Sequence, residues 1–323
     1  MGLLGSAFPL SVSNSQALLR LLLAVEINRS GIITICQWVS AALAQPTAEA
    51  LLAARQQPVA YVDEAGAPTG NADGNNPTRR RVWLWVMVTP VVTVFLQGLS
   101  RSAAAAIERL GDAFAGTVVI DRFSVYNHLP THQRQLCWPH LKRDLTAIAE
   151  LTGASAEFRA QLLQLQQQLF EHWHQWKAEA MDCVALQRSC QPIRLAFEQT
   201  LQRVVEMDCQ RKERSPWARA VNTCQQLLKQ KQSLWSFLET PGIELTNNAA
   251  ERALRPAVIQ RKITGLLSNS RGVQPANGSL CRSCLLTVTT TLRQQGRDVW
   301  DFLEQAWIAH LRGGEMPSLL PDR

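Results

Sequence analysis

The chain has 323 residues, 46% hydrophobic and 18% charged, with a formal net charge of +7. That length and apolar fraction support a large core with more than one substructure and exclude a disordered chain. The positive balance favours a polyanionic partner, and eight cysteines scattered without framework spacing fit a reducing compartment.

Residues 1–57 read as a helical, Leu/Ala-rich N-terminal segment. Its opening MGLLGS fits an N-myristoylation pattern that is short and often met by chance. Leu18 to Ile27 is apolar but broken by Arg20 and Glu26, too short to span a bilayer, so neither a signal peptide nor a membrane segment is expected. Ser30-Gly31 separates two short helices, and both a helix-turn-helix remnant and plain helical packing fit that pattern.

Residues 58–152 change character at Pro58. Val59 to Glu64 is a short apolar strand ending in Asp63 and Glu64, and Gly66 to Thr78 is a Gly/Asn/Pro-rich loop. Two β-rich runs, Arg81–Thr89 and Val91–Leu99, flank Pro90 as a hairpin. An Ala-rich helix follows over Ser102–Leu110, then a buried-type strand over Thr117–Ile120 that ends on Asp121. A short helix over Phe123–Leu129, supported by Tyr126 and Asn127, a strand over Arg134–Trp138 and a helix from about Pro139 to Leu151 complete the segment. Three sequential strands followed by alternating β and α predict an α/β fold, a mixed sheet flanked by helices.

Residues 153–240 lose all strand character and form an all-helical insertion, apolar at helical spacing. Trp173, Trp176, Trp217 and Trp235 are core residues of it. His172 and His174, two apart, lie on different helix faces, which argues against joint metal ligation. Residues 241–312 return to the sheet-containing part, and 313–323 form a tail. Within 241–312, Asn248 suits an N-cap, Glu251 falls three residues on where a capping box wants Glu, and Arg255 lies at i+4 from it. Pro256 is expected to end or bend that helix. Cys281 and Cys284 form one CxxC without a second pair nearby, so a buried helical pair is expected rather than a zinc site.

Asp63 and Asp121 share a place at the end of an apolar strand, where ligand sites gather in sheets fed by crossovers. Glu251 has two readings, a cap that also salt-bridges or a metal ligand in a first helical turn. Three carboxylates suit Mg²⁺ or Mn²⁺, and two such ions about 4 Å apart clamp the attacking and leaving oxygens of a phosphoryl displacement. Glu64 points to the opposite strand face and reads as a solvated acid. His140 is a candidate accessory residue for phosphate orientation or proton transfer, with a structural role equally open. Cys137 and Trp138 read as core. Lys142, Arg143, Arg252, Arg255, Arg261 and Lys262 are candidate DNA-phosphate contacts, weighed against plain solvation.

Five stretches occur in order: YVDEAG, RRVWLWVMVTP, GTVVIDRFSVYNHL, RQLCWPHLKRD, and LTNNAAERALRPAVIQRK with a trailing SNSRG. Together they closely resemble the catalytic region of the IS66-family transposases, from about Val59 to Trp307. The resemblance implies an RNase H-like fold, a DDE triad at Asp63, Asp121 and Glu251, and a helical insertion between the second Asp and the Glu. It further implies hydrolysis at transposon ends with two Mg²⁺ or Mn²⁺ ions, then strand transfer into target DNA. DNA, further copies of the chain and accessory transposition proteins are the implied partners, in a cytoplasmic, nucleoid-associated setting. Two departures stand out. Family members usually carry N-terminal segments with a coiled coil, a zinc-binding module and a helix-turn-helix, whereas this chain begins at most within the last of these. A truncated copy, or one relying on another protein to recognise the ends, is therefore expected. After Arg261-Lys262 stands Ile263-Thr264-Gly265, where the family tends to have Asn and an aromatic. The rival reading is a non-catalytic DNA-binding remnant or transposition regulator, and a weaker one is a nuclease acting on hybrids or branched DNA.

Overall fold

The computed structural model describes the backbone of all residues except 1–3, 5–7, 9, 68–76, 79, 148–153, 208–215, 241, 268–275 and 322–323. Side chains at 147, 154, 155, 216, 260–267 and 276–280 also lie outside the described set. The chain divides into two compact units. Unit 1 comprises Met1–Gly116, Ser124–His128 and Asn247–Arg323, and unit 2 comprises Thr117–Phe123 and Leu129–Thr246.

Unit 1 is built on an antiparallel meander, β1 (Val59–Ala67), β2 (Val82–Val88) and β3 (Thr93–Gly98). Apolar residues alternate with others along it, and the register is continuous from Tyr61↔Val88 to Ala67↔Val82. Among the described residues, three helices precede the meander: α1 (Val12–Leu23), α2 (Arg29–Ala42) and α3 (Ala44–Ala54). The helix α4 (Ala103–Leu110) follows it, capped by the Ser102 hydroxyl accepting from the Ala105 amide. A 3₁₀ turn (Ser124–His128) and three later helices, α10 (Asn248–Leu267), α11 (Ala276–Gln294) and α12 (Val299–Arg312), complete the unit.

The outer edge of β3 is covered by α11. Thr291 Oγ1 accepts from the Thr93 amide at 3.1 Å and donates to its carbonyl at 2.9 Å, and Thr287 Oγ1 accepts from the Phe95 amide at 2.9 Å. Four helical residues rise about 6 Å and two strand residues about 6.8 Å, so an i,i+4 pair of threonines meets every second residue of the strand. Gln294 and Gln295 donate to the carbonyls of Thr89 and Val91. A bare sheet edge is thereby sealed by side chains instead of another strand.

Unit 2 holds a parallel pair, β4 (Thr117–Ile120) and β5 (Arg134–Leu136), followed by α5 (Trp138–Ala147), α6 (Ala154–Lys177), α7 (Cys183–Glu206), α8 (Pro216–Lys229) and α9 (Lys231–Glu239). All four residues of β4 are buried. Gln135 is fully buried and bonds α9 at both ends of its amide, to the Leu234 carbonyl and the Phe237 amide. The Trp138 indole donates to the same Leu234 carbonyl at 3.0 Å. Trp138, Phe197 and Trp235 pack at centroid distances of 5.1–6.1 Å, which joins α5, α7 and α9 in one aromatic core.

The strands of the two units are mixed in sense and accompanied by helices, as the element order indicates, and within 153–240 the described residues form helices joined by turns, without a strand. Four details differ from expectation. The first helical break falls at Ala24–Asn28, not at Ser30-Gly31: Ala24 is left-handed (φ 52°), and the Asn28 carboxamide accepts from the Gly31 amide at 2.7 Å. Gly31 is therefore an internal first-turn residue whose orphan amide is satisfied by the cap. The helix α10 runs through Pro256 to Leu267; Arg252 and Pro256 are both exposed, so the carbonyl that loses its partner lies on the solvated side. The expected strand over Arg134–Trp138 stops at Leu136, and Trp138 opens α5. Finally, β1 continues three residues beyond Glu64, because the β2 pairing extends to Ala67 and Gly66 leaves room for the Trp83 ring. A Cβ at Gly66 would stand 2.9 Å from that ring. Most of the expected Gly66–Thr78 loop, the SNSRG stretch and the far end of the Pro139–Leu151 helix lie outside the described residues.

Candidate active site

Asp63 lies within β1, paired across to Val86, rather than at a strand end. It is half-buried, and its Oδ1 accepts from the Glu64 amide at 2.8 Å. Strand alternation turns Glu64 to the other face. There it is a buried ion-pair partner and not the solvated acid expected: Oε1 accepts from Arg101 Nε at 2.8 Å, and Oε2 accepts from the Tyr126 hydroxyl at 3.0 Å. Arg101 lies over the Trp83 ring at 4.7 Å, and Tyr126 meets Trp85 edge-on at 6.5 Å. The physical reason is satisfaction. A buried carboxylate is tolerated when a cation and a hydroxyl both reach it. These partners lie 37 and 62 residues away in sequence, so local pattern gave no signal for them.

Glu251 is exposed in the first turn of α10. The helix starts at Asn248, so Asn247 holds the cap position expected of Asn248, and the Glu251 amide donates to the Asn247 carbonyl at 3.2 Å. Asn247 does other work with its side chain: Nδ2 donates to the Val62 carbonyl at 2.9 Å, and the residue is almost fully buried. This bond ties the start of α10 to the strand residue immediately before Asp63, and α10 packs along β1 and β2. Sequence reasoning missed Asn247 as the anchor, although the Asn pair before Glu251 was the available signal. Arg252 and Arg255 are exposed on α10, with Arg252 Nε donating to the Asn248 carbonyl. The side chains of Arg261 and Lys262 lie outside the described residues.

In unit 2, Asp121 follows β4 directly, as expected. It is half-buried, and its Oδ1 accepts from the Phe123 amide at 2.9 Å, an Asx turn that fixes the carboxylate as the strand ends. The neighbouring Arg122 pairs with Asp144 of α5 at 2.6 Å, which holds the turn to that helix. Lys142 and Arg143 are exposed on α5. Cys137 is buried, its amide bonding the Ile120 carbonyl at 2.8 Å, and half-buried His140 offers a ring nitrogen within 4.8 Å of the Cys137 sulfur. Asp63 and Glu251 thus belong to unit 1, and Asp121, His140, Lys142 and Arg143 to unit 2.

No helix among the described residues is long and apolar enough to cross a membrane. No solved structure matches the chain. A curated relative, the uncharacterized protein y4qI of Sinorhizobium fredii (strain NBRC 101917 / NGR234), is 24% identical over 285 residues. The match covers 81% of this chain and 50% of y4qI, so the chain spans about half the length of that relative. Residues 14–275 match the family described as "Transposase IS66 family". That match takes in most of the N-terminal helices as well as both Asp positions and the Glu251 helix, and by it the chain belongs to the IS66 transposase family.

Proposed function

We propose that the protein is a DDE-type DNA transposase with an RNase H-like catalytic core. In this reading it cuts the ends of its element and joins the freed 3′-hydroxyls to target DNA. The observation that carries the reading is the placement of Glu251 on a helix anchored by Asn247 to the strand residue beside Asp63, in a chain of this family. Asp63, Asp121 and Glu251 are the proposed catalytic and metal-binding residues. As a donor set they fit hard divalent cations: all three offer carboxylate oxygens, and backbone hydrogen bonding orients Asp63 and Asp121. A pair of Mg²⁺ or Mn²⁺ ions, when bound, supplies Lewis acidity to the attacking and departing oxygens of an in-line displacement at phosphorus.

The chain's own groups hold and orient. Strand pairing on β1 fixes the backbone of Asp63, and an Asx turn fixes that of Asp121. The first turn of α10 favours negative charge at Glu251 through the helix dipole. Exposed Lys142, Arg143, Arg252 and Arg255, with Arg261 and Lys262 farther along α10, are proposed to neutralise DNA phosphates. His140 is proposed as an accessory residue that orients a phosphate. Assembly of several copies on DNA and accessory transposition proteins belong to the same reading, as does action at the nucleoid.

The test is strand transfer by the full chain with Mn²⁺ and a pre-cleaved duplex carrying the terminal sequences of its own element. Wild type is expected to join the 3′-hydroxyl to target DNA, and Asp121→Asn to fall to background while still binding the duplex. Joining unchanged by Asp121→Asn would overturn the catalytic assignment. Salt-dependent binding without joining by the wild type would favour a DNA-binding regulator.

A further inference from the structure

Unit 1 contains three cysteines that the proposed chemistry does not use. Cys36 lies on α2, and Cys281 and Cys284 lie one turn apart on α11, which packs against α2. The Cys281 thiol reaches α2 directly, donating to the Cys36 carbonyl at 2.8 Å, and it also lies within hydrogen-bond reach of the Cys36 sulfur and of Ser40 one turn on. Cys281 and Cys284 line a groove of about 650 Å³ walled by α2, α3, β3 and α11, with Ser40, Thr47 and Thr287 along it. Cys36 is half-buried and Cys281 buried. A half-buried cysteine therefore meets a buried one across a helix–helix contact, and the buried one borders a groove large enough for a small oxidant.

We propose that Cys36 and Cys281 form an oxidation-sensitive pair that closes to a disulfide linking α2 to α11. The protonation pattern agrees with the geometry. The hydrogen bond from Cys281 holds the Cys36 thiol down at about 7, against the opposing effect of burial, while the same contact and burial push Cys281 well above the usual thiol range. Cys36 is thus the nucleophile and Cys281 the resolving thiol.

With hydrogen peroxide as oxidant, the Cys36 thiolate attacks one peroxide oxygen. An S–O bond forms, the O–O bond breaks and hydroxide leaves, giving the sulfenic acid. Cys281 then attacks the Cys36 sulfur. The S–S bond forms as the S–O bond breaks, and the Cys281 proton departs with the hydroxyl as water. Two thiols are oxidised by two electrons, and the peroxide is reduced to hydroxide and water. Cys284 is the less suited partner, since it is one turn along the same helix and its sulfur lies 4.0 Å from the Thr47 hydroxyl.

The experiment is a non-reducing tryptic map of the full chain, pre-reduced and then treated with hydrogen peroxide under native conditions. Arg282 separates the two α11 cysteines, so peptides 30–55, 272–282 and 283–293 each carry a single cysteine. The expected product joins 30–55 to 272–282 with the loss of two hydrogens, and dithiothreitol reverses it. Cys36→Ser is expected to leave Cys281 free to alkylate, with an unchanged circular dichroism spectrum. Peroxide treatment that leaves both thiols free, or that joins 272–282 to 283–293, would overturn the proposal. The wild-type map decides even if the variant fails to fold.

Discussion

Glu64 adjoins the proposed catalytic Asp63, and the two acids are expected to fail in opposite ways when changed. The Glu64 side chain is 2% exposed and its partner Arg101 is 32% exposed. Breaking a buried ion pair costs about 3–5 kcal/mol when the surviving charge stays buried. Here the survivor is third-exposed Arg101, stacked on Trp83 and able to hydrate, so the cost sits at the lower end. The Tyr126 hydroxyl also loses an acceptor, a deficit of about 1–3 kcal/mol that is not independent of the first. We expect Glu64→Ala to lower the stability of the meander by about 3 kcal/mol. Glu64→Gln, which keeps the volume and an acceptor but not the charge, is expected to lower it by about half as much. A chain of two units need not unfold in one step, so the readout is hydrogen exchange of the β1 and β2 peptides. Their protection is expected to drop on the order of a hundredfold in Glu64→Ala. In Asp63→Asn it is expected to stay near wild type while strand transfer is lost. A Glu64→Ala protein with wild-type β1 protection would refute the buried-pair argument and return Glu64 to the solvent.

The edge seal makes a second prediction: Thr291→Val keeps the volume but leaves the Thr93 amide and carbonyl without this hydroxyl, and is expected to destabilise unit 1 by about 2–4 kcal/mol, read by hydrogen exchange of its strand peptides. Gly66→Ala drives a methyl against Trp83 and is expected to cost about 1–3 kcal/mol, read by the same assay. Burial pushes the Cys190 and Cys224 thiols up to about 11 and about 12, so they stay protonated at pH 8. Native-state alkylation at that pH is expected to modify Cys36 and exposed Cys183 first, and Cys190 and Cys224 only after denaturation. Replacing Lys142 and Arg143 together with Ala is expected to weaken DNA binding across sequences and to flatten the log–log salt slope by about two in a fluorescence titration.

Most strands were legible because their signals are local. The Pro90 hairpin and the Thr117–Ile120 strand ending at Asp121 appear where apolar alternation and turn residues place them. What the sequence hid depends on distant partners. Nothing around Glu64 announces Arg101 or Tyr126, and nothing around Asn247 announces the Val62 carbonyl, 185 residues away. Pairing with β2, not propensity, carries β1 past two acids to Ala67. Likewise Pro256 does not end α10, because the carbonyl it strands is on a solvated face. Glu251 was legible as a first-turn acid, and the helix start at Asn248 places it one residue past the capping-box position expected of it.

In the proposed transposase, Asp63, Asp121 and Glu251 share bound divalent cations. The direct measurement is affinity cleavage: Fe²⁺ with ascorbate and peroxide, added to the full chain in the presence of an end duplex, cuts polypeptide preferentially next to bound metal. Three sets of cuts are expected, beside residues 63, 121 and 251, all suppressed by excess Mg²⁺ and all lost together in Asp121→Asn. Cuts near a single one of these positions, or a pattern indifferent to Asp121→Asn, would contradict it.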